Sequence, residues 1–204
     1  MMTDSTLDDG IYELPKGHVV EITTFFQMCD RPSLPDQEDT LITLEPWSNP
    51  DPDAYLDLFN AVGADWLWLS RRLMARDELA QVLNEDKRIV HRAFQEGQVI
   101  GLVELKFTAS GDCELAFFGL VAGATGRGTG RVMMHAALRR AWSEATTKRV
   151  WLHTCTFDHP AAVRFYSSFG FKPFRRTIRV QADPRIAIDQ LRHASPQMPI
   201  IYPE

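Results

Sequence analysis

The sequence predicts a single α/β domain built on a mixed, mostly antiparallel sheet with one parallel strand pair and helices on both faces. Three observations carry this expectation. Between residues 88 and 121, three β-rich runs are separated by the tight-turn signals Glu96-Gly97 and Ser110-Gly111, the pattern of consecutive hairpins. From Asp112 to Cys155 an apolar strand enters a glycine-dense turn, a long helix and a second strand, which makes those two strands parallel neighbours joined by a right-handed crossover. The 204 residues suit one core, large enough to bury about 70% of the surface the unfolded chain would expose.

Taken in order, residues 1–17 read as a flexible acidic arm, 18–182 as the domain proper, and 183–204 as a C-terminal helix and tail. The run His18 to Phe26 is the first strand, and Pro32, Pro35, Pro46, Pro50 and Pro52 punctuate the loop after it. Helical spacing follows at Ala54 to Val62 and at Asp65 to Met74, with Asp77 set to cap a third short helix ending at Leu83. Strands are expected at Arg88 to Phe94, Val99 to Phe107 and Asp112 to Val121. A helix from Gly128 to about Ala145 buries Val132, Met133, Ala136, Ala137 and Ala141. Val150 to Cys155 is the parallel return strand. Asp158 or His159 caps the next helix, with Pro160 in its first turn and Gly170 just past its end. A strand at Lys172 to Val180 and an edge strand at Pro199-Ile200-Ile201 complete the reading.

The chemistry concentrates in the turn. Glycines allow positive φ and let main-chain N–H groups converge, while a helix start adds unpaired donors and partial positive charge, so the segment can cradle a pyrophosphate. A P-loop is excluded, because the frame from Gly123 to Gly128 continues Thr129-Gly130 and lacks the lysine. A dinucleotide fingerprint fails too, since the sixth position from Gly126 or Gly128 is Arg131 or Met133. What remains is Thr125-Gly126-Arg127-Gly128-Thr129-Gly130. Downstream stand Val150-Trp151-Leu152-His153-Thr154-Cys155, then His159-Pro160-Ala161-Ala162-Val163-Arg164-Phe165-Tyr166, then Phe169-Gly170-Phe171.

Together these blocks resemble the GNAT superfamily of acyl-CoA-dependent N-acyltransferases over residues 88 to 180: its pyrophosphate loop Gln/Arg-x-x-Gly-x-Gly/Ala, its fifth strand, its Asn-x-x-Ala-hydrophobic-x-x-Tyr helix and its closing Gly-Phe. Thr125 and His159 depart from the pattern. The resemblance implies acetyl-CoA as acyl donor, no metal, and direct transfer to a primary amine in a ternary complex. It places the cofactor on the backbone of Leu120 and Val121 and on Thr125, Gly126, Arg127, Gly128, Thr129, Gly130, Arg131 and His159. His159 equally suits a plain helix cap. Glu114, sixteen positions before Gly130, stands where the histone-acetylating branch carries its general base, and Tyr166 matches the acid that protonates the leaving thiolate. Each has a bland counterpart, an exposed strand position for Glu114 and an apolar helix stripe for Tyr166. Glu104 is the substitute base, although its alternation with Val103 and Leu105 fits a solvent face. An acyl-cysteine route through Cys155 lacks a paired base.

Composition bounds the rest. Cys29, Cys113 and Cys155 are an odd number without paired spacing, against a disulfide framework or zinc site. The N-terminal residues lack a cationic segment leading into an apolar run, and no stretch approaches the ~20 apolar residues of a membrane span, so a cytoplasmic protein without membrane contact is expected. Residues 1–65 hold fourteen acidic side chains against Lys16 and Arg31, whereas the remainder is net basic with Arg127, Arg131, Arg139 and Arg140 at and after the turn. The net charge of −5 and the absence of a recognisable module speak against nucleic acid. Trp47, Trp66 and Trp68, with Asp51, Asp53, Asp57 and Asp65, suit a pocket for a cationic acceptor: a lysine, a polyamine or an amino-sugar. The acceptor is thus an amine-bearing small molecule or protein, and a homodimer is an expectation by analogy with the superfamily. The competing class is an acyl-CoA-binding sensor without turnover.

Overall fold

A computed structural model describes residues 7–35, 42–126 and 128–204. The first six residues of the expected arm, and Arg127 of the expected cofactor loop, lie outside the described residues. Seven strands form one sheet: β1 (His18–Met28), β2 (Thr43–Pro46), β3 (Arg88–Gln95), β4 (Gln98–Phe107), β5 (Asp112–Leu120), β6 (Arg149–Cys155) and β7 (Lys172–Ala182). Their spatial order is β2-β3-β4-β5-β6-β1-β7, antiparallel throughout except for β5 beside β6. The sheet is therefore mixed as expected, with its single parallel pair where the crossover unit put it.

Helices cover both faces. On one, α1 (Pro52–Gly63) and α2 (Arg76–Leu83) pack Tyr55, Leu56, Phe59, Val62 and Leu79 against Val90 and Leu102. The first of these helices starts where it does because the Asp51 carboxylate accepts from the amides of Asp53 and Ala54 (3.1 and 2.9 Å) and Pro52 occupies the first turn. On the other face α3 (Thr129–Ala141) buries Met133, Met134, Ala137, Leu138 and Ala141 against Val103, Leu105, Cys113 and Leu115. Alternation along β4 separates the two cores, Leu102 facing one and Val103 the other. Beside α3 lies α4 (Ala162–Ser168), closed by Gly170 at φ 90°; the tail begins with α5 (Pro184–Ala187). Among the described residues no helix is long and apolar enough to cross a membrane, and no group of His, Cys, Asp or Glu is placed to hold a metal ion.

Several expectations are corrected. Asp65 to Met74 is not a helix: after a 3₁₀ turn at Ala64–Trp66, Leu67 turns left-handed (φ 55°) and the chain becomes an irregular wall. Side-chain contacts hold it there, Trp68 packing on Phe59 and Phe117 and Arg71 reaching Glu104. Asp77 lies inside the first turn of α2, whose cap position is Ala75. The proline-rich loop contains β2, and α3 stops at Ala141 rather than near Ala145. Pro199-Ile200-Ile201 forms no strand; among the described residues its one backbone tie is the Gly17 amide donating to the Ile201 carbonyl (2.8 Å). The tail is held instead by buried Arg185, which pairs with Asp183 and donates to the carbonyls of Ala194, Ser195 and Met198.

Candidate active site

The parallel pair defines the site by ending early. Only Asp112–Glu114 pairs with Arg149–Trp151; beyond that point β5 stays on β4 as far as Leu120, while β6 stays on β1. The two strands diverge, and among the described residues Leu115 to Leu120 present a strand edge with no paired strand on that side. Unpaired strand N–H and C=O groups must find partners, so this edge suits an extended amide-bearing ligand. The gap opens into a cleft of about 750 Å³.

At the upper end of β5 the chain makes a 3₁₀ turn (Ala122–Ala124), closed by the Thr125 hydroxyl donating to the Ala122 carbonyl at 3.0 Å. This gives the off-pattern threonine a local role. Gly126 and Gly128 have φ of 91° and 82°, a conformation that penalises any side chain, and α3 begins directly after Gly128. The Thr129 amide donates to the Gly126 carbonyl (3.1 Å) and those of Arg131 and Val132 to the Gly128 carbonyl (2.9 and 3.1 Å), which fixes the positive end of the helix beside the cleft. Arg131 lies over the Phe169 ring at 5.0 Å.

Of the residues expected to hold a cofactor, Leu120, Thr125, Gly126, Gly128, Gly130, Arg131 and His159 line this cleft, and so does Tyr166; Val121 and Thr129 flank it without lining it. The expected cap at Asp158 or His159 is corrected: α4 begins only at Ala162, past Pro160, and its cap position, Ala161, has no side-chain cap hydrogen bond, while the His159 Nδ1 accepts from the Ala161 amide (3.0 Å) ahead of the helix and its ring lies tilted beside Trp66 at 4.9 Å. Tyr166 is wedged between Phe26, Phe165 and Phe171. Burial, reinforced by the Asp158 charge, pushes its hydroxyl well above the ordinary phenol range, so the group holds its proton at neutral pH.

Glu114 sits at the point of divergence, next to Leu115, which lines the cleft; the Glu114 side chain itself does not. Its cross-strand neighbours are Lys106 and Trp151. Burial raises its carboxyl above the ordinary value, opposed by the nearby charges of His153, Arg88 and Lys106. His153 does line the cleft, and its charge acts on Glu114.

Glu104 is not on a solvent face. It is fully buried, accepting from the Tyr55 hydroxyl (2.7 Å) and Arg71 (2.6 Å) and pairing with Arg88. Two arginines and a tyrosine hold it, and it does not line the cleft. Cys155 lines the cleft, but burial and the Asp158 charge push its thiol up to about 12, against nucleophilic use.

The tryptophan expectation divides. Trp66 and Trp68 line the cleft, whereas Trp47 packs on Tyr55 under Arg92. Asp51 is a helix cap and Asp53 pairs with Arg76 (2.5 Å); none of the four aspartates lines the cleft. Sequence reasoning missed the brace that joins the two walls: Asp158 accepts from the Trp68 indole (3.1 Å), the Thr154 hydroxyl (2.8 Å) and the Cys155 amide (2.8 Å). It also missed Ser195, which donates from its amide to Asp65 and from its hydroxyl to Phe157, both at 2.8 Å. No local pattern signals contacts between segments so far apart in the chain.

Solved structures share this fold at low identity. A GCN5-related N-acetyltransferase from Sphaerobacter thermophilus superposes with a TM-score of 0.53 at 17% identity, covering 81% of this chain and 53% of that one. One from Kribbella flavida gives 0.54 at 16%, covering 82% and 60%. A tandem GNAT protein from the clavulanic acid biosynthesis pathway gives 0.57 at 16%, covering 79% and 53%. The chain thus spans between half and two-thirds of the length of these proteins, and the likeness establishes the fold. No curated protein matches the sequence. Residues 41–171 match the family described as Acetyltransferase (GNAT) family, a segment that runs from just before β2 through the glycine turn to Phe171 and takes in the whole divergent strand pair. The chain therefore belongs to the GNAT acetyltransferase family.

Proposed function

We propose that this protein moves the acetyl group of acetyl-CoA to a cationic primary amine, a lysine, polyamine or amino-sugar, by direct transfer in a ternary complex. The observation that supports this reading best is the divergence of β5 from β6, which brings the glycine turn and Tyr166 to one cleft. The residues present fit the donor. Gly126, Gly128 and the opening turn of α3 would hold its pyrophosphate, with Arg131 as counter-charge, and the free edge of β5 up to Leu120 would pair with its amide-bearing arm. Acetyl-CoA supplies an activated acyl carbon and a thiolate leaving group.

The chain's own residues supply the proton traffic. An alkylammonium with a pKa near ~10.4 must lose a proton before its nitrogen can attack. Glu114, with its raised carboxyl pKa, takes that proton through His153 or an intervening water. Tyr166, protonated at neutral pH, gives its hydroxyl proton to the departing sulfur. Glu104, held by two arginines and Tyr55 away from the cleft, and the high-pKa Cys155 take no part.

The test is release of free thiol from acetyl-CoA across a panel of amines, proteins and amino-sugars, with Glu114→Gln as control. Release with cationic amines, strongly reduced in the variant, is expected. Binding of CoA without release from any acceptor would overturn the reading in favour of a sensor.

A further inference from the structure

The far wall of the cleft comes from outside the family-matched segment. Glu21 of β1 and its direct cross-strand neighbour Arg179 of β7 both line it, and neither strand falls within residues 41–171. Their charged ends stand 3.7 Å apart, beyond hydrogen-bond contact. The Glu21 side chain is 17% exposed and that of Arg179 is 68% exposed, so a carboxylate set into the wall faces a guanidinium lying in solvent. An exposed pair of that geometry is weak and easily replaced.

The remaining carboxylate of the described lining, Asp158, is committed to Trp68, Thr154 and Cys155. Glu21 is different: one oxygen accepts from the Thr23 hydroxyl (2.9 Å), and the other, among the described residues, has only the distant arginine. Its charge is felt at Cys155, as is that of Asp158, whose charge also reaches Tyr166. Glu21 lies two residues along β1 from Thr23, which pairs with Cys155, so it stands on the cleft wall near Cys155.

We propose that Glu21 is the specificity-determining residue that holds the acceptor's ammonium, with Arg179 giving way as the amine enters. The inference rests on the acyl-transfer reading above and assigns selection for cationic acceptors to β1, while the matched segment handles the donor. An ammonium able to approach the recessed carboxylate to ~2.8 Å gains charge-assisted hydrogen bonds that Arg179 does not make.

The experiment compares steady-state kinetics of the full chain and of Glu21→Gln with a polyamine, an α-blocked lysine amide and an arylamine that is uncharged at neutral pH. Donor affinity is measured separately by CoA titration, which also reports that the variant is folded. The variant should raise KM for both cationic amines about tenfold or more, leave KM for the arylamine unchanged and leave CoA affinity within about twofold. Arg179→Gln should leave the cationic KM unchanged or lower it. An unchanged cationic KM in Glu21→Gln, or equal rises for charged and uncharged amines, overturns the assignment of Glu21 alone. Absence of thiol release by the unsubstituted protein with every amine overturns the acyl-transfer reading and the assignment with it.

Discussion

Glu104→Gln removes the charge from a carboxylate that is fully buried between two arginines and a tyrosine. The cost can be apportioned. Arg88 keeps Glu85 as a partner at 2.7 Å, so its charge remains compensated. Arg71, 9% exposed, has Glu104 as its carboxylate partner, and its Nε is already buried without a hydrogen bond. Tyr55, whose hydroxyl burial and the Glu104 charge hold in the protonated form, loses a charged acceptor but keeps an amide oxygen to donate to. The loss therefore centres on one stranded guanidinium, which puts the variant at the lower end of the usual range for a broken buried pair, about 3 kcal/mol. For a domain of this size that is a fall of roughly 6–12 °C in Tm. Urea unfolding with an unchanged m-value, alongside thermal denaturation, measures it. Because Arg71 anchors the irregular wall from Leu67 to Met74, the acceptor KM should rise as well. Replacing Arg71 and Glu104 together by methionine should recover only part of the stability, since no charge is then left unpaired but the buried Tyr55 hydroxyl loses its acceptor. A cost below about 1 kcal/mol for Glu104→Gln would refute the buried-pair account.

Three further outcomes follow from the site. Tyr166→Phe should lower kcat by about a hundredfold while CoA affinity stays within twofold, and stopped-assay kinetics with CoA titration would check the split. Gly128→Ala meets open space but must adopt φ 82°, so it should cost about 1–2 kcal/mol and weaken CoA binding; unfolding and titration together would show strain without a clash. Glu114→Gln should become more stable relative to the unsubstituted protein as pH rises. The folded carboxyl pKa lies above its ordinary 4.5, so below that value Glu114 is neutral in both states and the two proteins should match. Above it, only the folded state resists ionisation, and the unsubstituted protein loses the difference as pH passes through the raised pKa. Tm measured from pH 4 to 8 should show the gap opening with pH; a constant gap would contradict burial of this carboxyl.

The local features of the fold were readable because local physics produces them. Glu96-Gly97 and Gly111 adopt the positive φ that their turns require, and the apolar spacing of α3 reports one face packed on a sheet. The glycine turn and the tyrosine helix were readable for the same reason. Side-chain fate was less so. Alternation with Val103 and Leu105 gave Glu104 a face, but could not say that Arg71, from a segment whose helical spacing is overridden, comes down on that face. Trp68 shows the same limit: its periodicity fits a helix, yet the chain turns at Leu67 so that the indole can reach Asp158, ninety residues on.

The deepest gap is the place of β1. Read along the chain, His18 to Phe26 is an opening strand, and nothing in its own residues names its neighbours. In the sheet it lies between β6 and β7, pairing Thr23 with Cys155 and Glu21 with Arg179. Such pairings join the first eighth of the chain to its last third, and loop-closure entropy grows too slowly with length for spacing to forbid or favour them. The consequence is chemical as well as topological. A segment that sequence reading assigns to the acidic N-terminal third supplies one wall of a cleft whose other parts are all found after residue 60. The acidic bias there had pointed to a cationic acceptor through Asp51, Asp53, Asp57 and Asp65, which instead cap, pair or lie away from the cleft. If the bias does select cations, it acts through Glu21, the one acidic residue before position 60 that lines the cleft among the described residues. A charge-swapped pair, Glu21→Arg with Arg179→Glu, should then keep the cross-strand attraction and the fold yet alter selectivity. The carboxylate would move to the exposed strand, and cationic amines should lose their advantage over the uncharged arylamine in kcat/KM. Retention of the original preference by the swapped protein would place selection elsewhere in the cleft.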